Sequence, residues 1–232
     1  MQRVARGWAA AALCALFTAA SAGAQNPPTP APWADAFDAP QYSHGQDPTL
    51  PSVGGWEPFL LIHAPGATIS ADRARSAPHS LRNGGDADVV QKFTGTDGAA
   101  WTVDASLFVP GPGQPDELGL ESWFILLNTY GTQPAAPKSW SLQLGFDPQT
   151  GLVRYFGGPN SGMTFPVPKD AWVRVFVHVD FTQPAGSANA QVLYDVGSGL
   201  APIGPPFDWT EGASPGGADR IQALDLFGGF QS

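Results

Sequence analysis

Apolar side chains recur at every second position through much of this chain. In WVRVFVHVDF, Val173, Val175, Val177, Val179 and Phe181 fall on one face of an extended strand, with Trp172, Arg174, Phe176, His178 and Asp180 on the other. The first face is core. The second carries too much aromatic surface for a plain solvated face and too many ionisable groups for an unpaired core, so it predicts a groove wall or a buried polar network. The same alternation sets Trp101, Val103, Ala105, Leu107 and Val109 against Thr102, Asp104, Ser106 and Phe108, and Trp140, Leu142, Leu144 and Phe146 against Ser139, Ser141, Gln143 and Gly145. ESWFILLN, from Glu121 to Asn128, is apolar on both faces and predicts a central strand covered on both sides.

Further strand-like runs are DVVQKF (Asp88 to Phe93), LVRYF (Leu152 to Phe156), AQVLYDV (Ala190 to Val196) and RIQALDLF (Arg220 to Phe227). Turn residues separate them. The tightest hairpin is FDPQTGLVRYF, where Pro148 presets a negative φ and Gly151 supplies a positive one. No stretch holds apolar residues at helical spacing for three turns, so the pattern predicts an all-β, two-sheet antiparallel sandwich. Gly 28 and Pro 24 in 232 residues agree with many turns and few helices.

The ends change the picture. Arg3 and Arg6, the apolar stretch Gly7 to Ala20 and the small residues Ala22-Gly23-Ala24 have the form of a secretory signal, cleaved before Gln25. Residues 1–24 are therefore read as a signal peptide, 25–32 as a mobile proline-rich spacer, and 33–232 as one domain secreted to the periplasm or the exterior. The one cysteine, Cys14, falls in the signal, so the exported domain is expected to hold together by core burial alone. The formal net charge of −9 becomes more negative once Arg3 and Arg6 leave, which disfavours nucleic acid and anionic membrane as partners. Neither oligomeric state nor ligand identity is legible.

The succession of segments resembles the concanavalin A-like lectin/glucanase superfamily, and within it the laminin-G-like jelly rolls of secreted bacterial proteins. The similarity lies in the opening Phe37-Asp38 with the later Gly54-Gly55-Trp56, in SAPHSLR (Ser76 to Arg82), and in the paired segments DAWVRVFVHVDF and QVLYDVGSG. It covers Trp33 to about Phe227 and implies a jelly roll. Such sandwiches return a further strand near the end to pair beside the first. The chain here stops just after RIQALDLF, so either the sheet ends in an unpaired edge or the final strand is missing.

Glucanases of the superfamily carry Glu-x-Asp-x-x-Glu on one strand, and Glu57, Glu117, Glu121 and Glu211 show no such spacing. A polysaccharide lyase would instead combine Arg174 and His178 with Tyr155 or Tyr194. The plainer alternative pairs Arg174 with Asp180 beside a structural His178. His44, His63, His79 and His178 have no metal-ligand spacing, while Asp35, Asp38 and Asp225 are the candidates for a calcium ion. Eight tryptophans, seven of them outside the signal peptide, among few charges point to stacking on sugar rings. The expected substrate-binding set is Trp172, Arg174, His178 and Asp180, joined by Gln143 if its strand shares their sheet. The expected function is an exported, non-catalytic module that binds polysaccharide or glycan, or is associated with a cell surface or matrix; a polysaccharide-degrading enzyme and a structural or adhesion module are the alternatives.

Overall fold

The computed structural model describes residues 26–37, 41–50, 54–61, 66–85, 87–111, 121–133, 135–158, 161–184 and 186–228. The expected signal peptide with Cys14, and also Asp38, His63 and Glu117, lie outside them. The described chain is built from strands: β1 (Thr29–Pro30), β2 (Glu57–Pro58), β3 (Ala67–Ser70), β4 (Ser80–Asn83), β5 (Asp88–Thr94), β6 (Ala100–Val109), β7 (Ser122–Tyr130), β8 (Lys138–Asp147), β9 (Leu152–Phe156), β10 (Met163–Pro166), β11 (Ala171–Asp180), β12 (Ala190–Asp195), β13 (Ala201–Pro202) and β14 (Ala223–Gly228). No helix among the described residues is long and apolar enough to cross a membrane.

A large sheet runs β1-β5-β14-β7-β8-β9-β10, with β2 also on β5; a small sheet runs β13-β12-β11-β6; β3 and β4 form a separate hairpin. The alternation that predicted the strands also makes the two sheets a sandwich. Val173, Val175, Val177 and Val179 are at most 1% exposed and pack in one core with Phe124, Leu126, Leu142, Leu144 and Tyr155 of the large sheet. Burying each valine is worth about 1.5–3 kcal/mol relative to leaving it in water. β7 is covered on both faces as expected, with Phe124 and Leu126 inward and Ile125 and Leu127 in an outer cluster beneath Phe59 and Leu60. The hairpin also forms as expected: Gly151 takes φ +69° and donates its N–H to Asp147 O at 2.9 Å.

Three features depart from the sequence reading. Trp140 does not share a face with Leu142, because the β7–β8 ladder shifts register twice, pairing Leu126 with Leu142, Leu127 with Trp140 and Thr129 with Ser139. Each strand thereby gains one extra residue, and Trp140 joins the outer cluster. Secondly, β14 lies between β5 and β7, hydrogen-bonded on both edges, so RIQALDLF contributes a central strand. The long unpaired edge among the described residues belongs to β6 in the other sheet. Thirdly, the stretch expected as a mobile spacer runs along β5: Thr29 pairs with Phe93, Ala31 N–H donates to Thr94 O at 3.1 Å, and the Asn26 side chain donates to Trp56 O at 2.9 Å.

Candidate functional site

The mixed face of β11 is the outward face of the small sheet. Arg174 and His178 are exposed, whereas Trp172, Phe176 and Asp180 are half-buried. Trp172 meets Phe108 of β6 edge to face, with ring centroids 5.5 Å apart. Arg174 is paired with Asp104 rather than Asp180: its Nε donates to Oδ1 at 2.8 Å and its Nη2 to Oδ2 at 2.5 Å. Six residues along one strand put Arg174 and Asp180 about 20 Å apart, while Asp104 lies diagonally across the β6–β11 ladder. The hydrogen bond from Arg174 holds the Asp104 carboxyl below its ordinary range, against a smaller opposing effect of burial. Asp180 instead closes the following turn, accepting from Thr182 N at 3.0 Å and Gln183 Nε2 at 2.8 Å.

Gln143 does not join this row, since β8 belongs to the large sheet. Nor does either tyrosine of the lyase reading. Tyr155 is fully buried in the inter-sheet core, and Tyr194 pairs with Val175 on the core-facing side of β11. Of the calcium candidates, Asp35 accepts from Trp56 Nε1 at 3.1 Å, Phe37 N at 2.8 Å and the Tyr42 hydroxyl. Asp225 is buried, diagonally across the ladder from Asp88. Among the described residues no three His, Cys, Asp or Glu side chains converge as a metal site would require.

The outward face of the large sheet carries the more specific arrangement. The ladder puts Trp123 of β7, Gly145 of β8 and Arg154 of β9 in one row, and Ile125, Gln143 and Phe156 in the next. Because Gly145 has no side chain, the indole of Trp123 lies against its backbone; a Cβ there would stand about 3.0 Å from the ring. Phe156 stacks beside the indole, with centroids 6.0 Å apart and planes inclined at 29°. The Arg154 guanidinium sits 5.3 Å from the indole centroid and is ion-paired with Glu121. The result is a partly exposed aromatic platform flanked by an amide, a guanidinium and a carboxylate. Sequence reasoning missed Trp123, Phe156 and Arg154 because neither the pairing of β8 with β9 nor the gap above Gly145 can be counted from one strand. Gly145 amid an otherwise bulky β8 was the available signal.

Further across the same face lie the buried Glu57 and Asp225, on either side of Val90, and the half-buried Asp88. Burial pushes the Asp225 carboxyl well up, reinforced by the charge of Asp88 and the hydrogen bond to it. Burial also raises Asp88, partly opposed by that hydrogen bond. Glu57 is raised by burial despite Lys92 Nζ at 2.9 Å. Asp225 and Glu57 are 3% and 2% exposed, so neither faces solvent as a catalytic acid would.

No family model matches the chain, and no curated protein does. Among solved structures it is similar to arcelin-5, a lectin-like defence protein from Phaseolus vulgaris, at 8% identity and a TM-score of 0.34, over 72% of this chain and 86% of that one.

Proposed function

We propose that this chain is an exported, non-catalytic module that binds glycan through the outward face of its large sheet. The observation that supports this reading is the Trp123–Phe156 platform over Gly145. A pyranose presents an apolar C–H face to an indole, while Gln143, Arg154 and Glu121 are placed to orient its hydroxyls. Arg154 and Glu121 fix one another, which lowers the conformational cost of binding. A second reading keeps the site on the small sheet at Trp172, Arg174 and His178, and the exposure of Arg174 and His178 favours it.

A glycan array probed with the wild type, Trp123→Ala and Trp172→Ala, with and without calcium, tests both. Loss of binding in Trp123→Ala alone is the expected result. Loss in Trp172→Ala alone moves the site to the small sheet, and a wild type that binds no glycan ends the reading.

A further inference from the structure

We propose that the free edge of β6 is a docking slot for an extended acidic peptide segment, which adds to the small sheet as a strand beyond β6. The other edges of the two main sheets are blunted in the ways that prevent pairing: β1 and β13 are two residues long and end in Pro30 and Pro202, and β10 is four residues long and ends in Pro166. β6 has ten residues, no proline, and among the described residues no partner on the edge away from β11. Its backbone groups there are available at strand spacing.

The side chains of β6 show the same vacancy. Trp101, Val103, Ala105 and Leu107 face inward opposite Val179, Val177, Val175 and Val173, yet they remain half-buried where those valines are closed off. A cleft of about 690 Å³ runs beside them, floored by Phe124, Leu224 and Leu226. Three polar atoms of its lining, Trp101 Nε1, His79 Nδ1 and Asn83 Oδ1, are buried without a hydrogen-bond partner among the described residues. Buried groups of this kind are rarely left unmet in a native protein.

The occupant follows from these surroundings. An apolar floor beside an open ladder suits alternate side chains of a strand better than a chain of hydroxyls, which would be desolvated. At the rim, Arg75 stands exposed in a chain whose formal net charge is −9. The carboxylates of the lining already accept hydrogen bonds, Asp104 from Arg174, Asp35 from Trp56 and Phe37, and Asp72 from Ser70 Oγ. Charge therefore favours acidic residues at the outward positions. Ala105 is the smallest inward residue of β6 and leaves room for one large apolar side chain opposite it.

The probe is the capped peptide Glu-Val-Glu-Phe-Glu-Val-Glu, titrated into the full chain while hydrogen exchange of residues 100–109 is followed by mass spectrometry. Saturable binding with slowed exchange in β6 is expected. Affinity should fall about tenfold when the glutamates become lysines, or when alternate peptide amides are N-methylated, because those changes remove the charge match and the ladder respectively. Ala105→Trp should fill the slot and abolish binding without lowering the unfolding midpoint, and Arg75→Glu should weaken binding. N-methylated peptide binding as well as the parent would overturn the proposal. So would a β6 already protected before peptide is added: in a dimer it would place a second copy in the slot, in a monomer another part of the same chain. The probe carries no sugar and the variants leave Trp123 untouched, so this result is independent of glycan binding.

Discussion

Asp225 and Asp88 lie diagonally across the ladder between the adjacent strands β14 and β5, where Asp225 faces Val90 and Asp88 faces Phe227, and their carboxyls act on one another. Burial makes it costly for two neighbouring carboxylates both to be charged, so one proton stays with the pair. Burial keeps it there, raising both groups above the ordinary carboxyl range. A raised pKa in the folded state means that the stability present below the unfolded pKa is lost as pH rises through the folded one. Asp225→Asn keeps a donor for Asp88 and removes the ionisation. The variant should therefore unfold at a higher temperature than wild type at pH 8 and at the same temperature at pH 3, as followed by circular dichroism. A wild-type advantage at pH 8 would mean that the fold favours the ionised Asp225 instead of opposing it.

The buried ion pair beside it behaves differently. Lys92 and Glu57 are 6% and 2% exposed, and Lys92→Met would leave Glu57 buried without its cation. Urea unfolding at pH 7 should show a loss of about 3–5 kcal/mol. That loss should shrink as pH falls below about 3, where Glu57 is neutral in folded and unfolded chains alike.

The double bulge in β7–β8 has its own polar seal. Asn128 Nδ2 donates to Ser141 Oγ and to Gly216 O, each at 2.9 Å, and both side chains are fully buried. Asn128→Ala strands two acceptors and should cost about 2–3 kcal/mol in chemical unfolding, against about 1 kcal/mol for Ser141→Ala.

The same bulge marks how far the sequence could be read. Alternation located the strands from β5 to β9, with β11, β12 and β14, because a half-buried sheet imposes period two on its residues. It misplaced Trp140, since one added residue flips every side chain beyond it and a bulge leaves no mark on one strand alone. It placed Trp172, Arg174 and His178 on one face correctly, but the partner of Arg174 lies across a ladder, at Asp104. Gln143 was grouped with them only by assuming a shared sheet. Short pairings such as Thr29–Pro30 with β5 are set by tertiary contacts and have no pattern to detect.

Gly145 is the least disruptive place to test the platform. Its backbone is compatible with an ordinary residue, yet a methyl group would stand at about 3.0 Å from the Trp123 ring. Gly145→Ala should therefore lift the indole and weaken glycan binding, while circular dichroism shows the strand signal of wild type. Unchanged glycan affinity would remove the platform from the binding site.

Tryptophan removal on the two sides of the small sheet should separate surface from core. Trp209 is fully buried against Phe181 and Phe207, and Trp209→Ala should cost about 3–5 kcal/mol through lost packing and a cavity. Trp172 lies half-buried on the outward face, and its main aromatic partner is Phe108. Trp172→Ala opens no enclosed cavity, so its cost should be limited to partial burial and one edge-to-face pair, about 1–2 kcal/mol. Arg174→Ala removes an exposed pair and should leave the unfolding midpoint nearly unchanged at moderate salt. Thermal unfolding of the three variants under one condition checks the order. A Trp172→Ala loss as large as that of Trp209→Ala would show that the mixed face of β11 is covered, and with it the second glycan reading would lose its open surface.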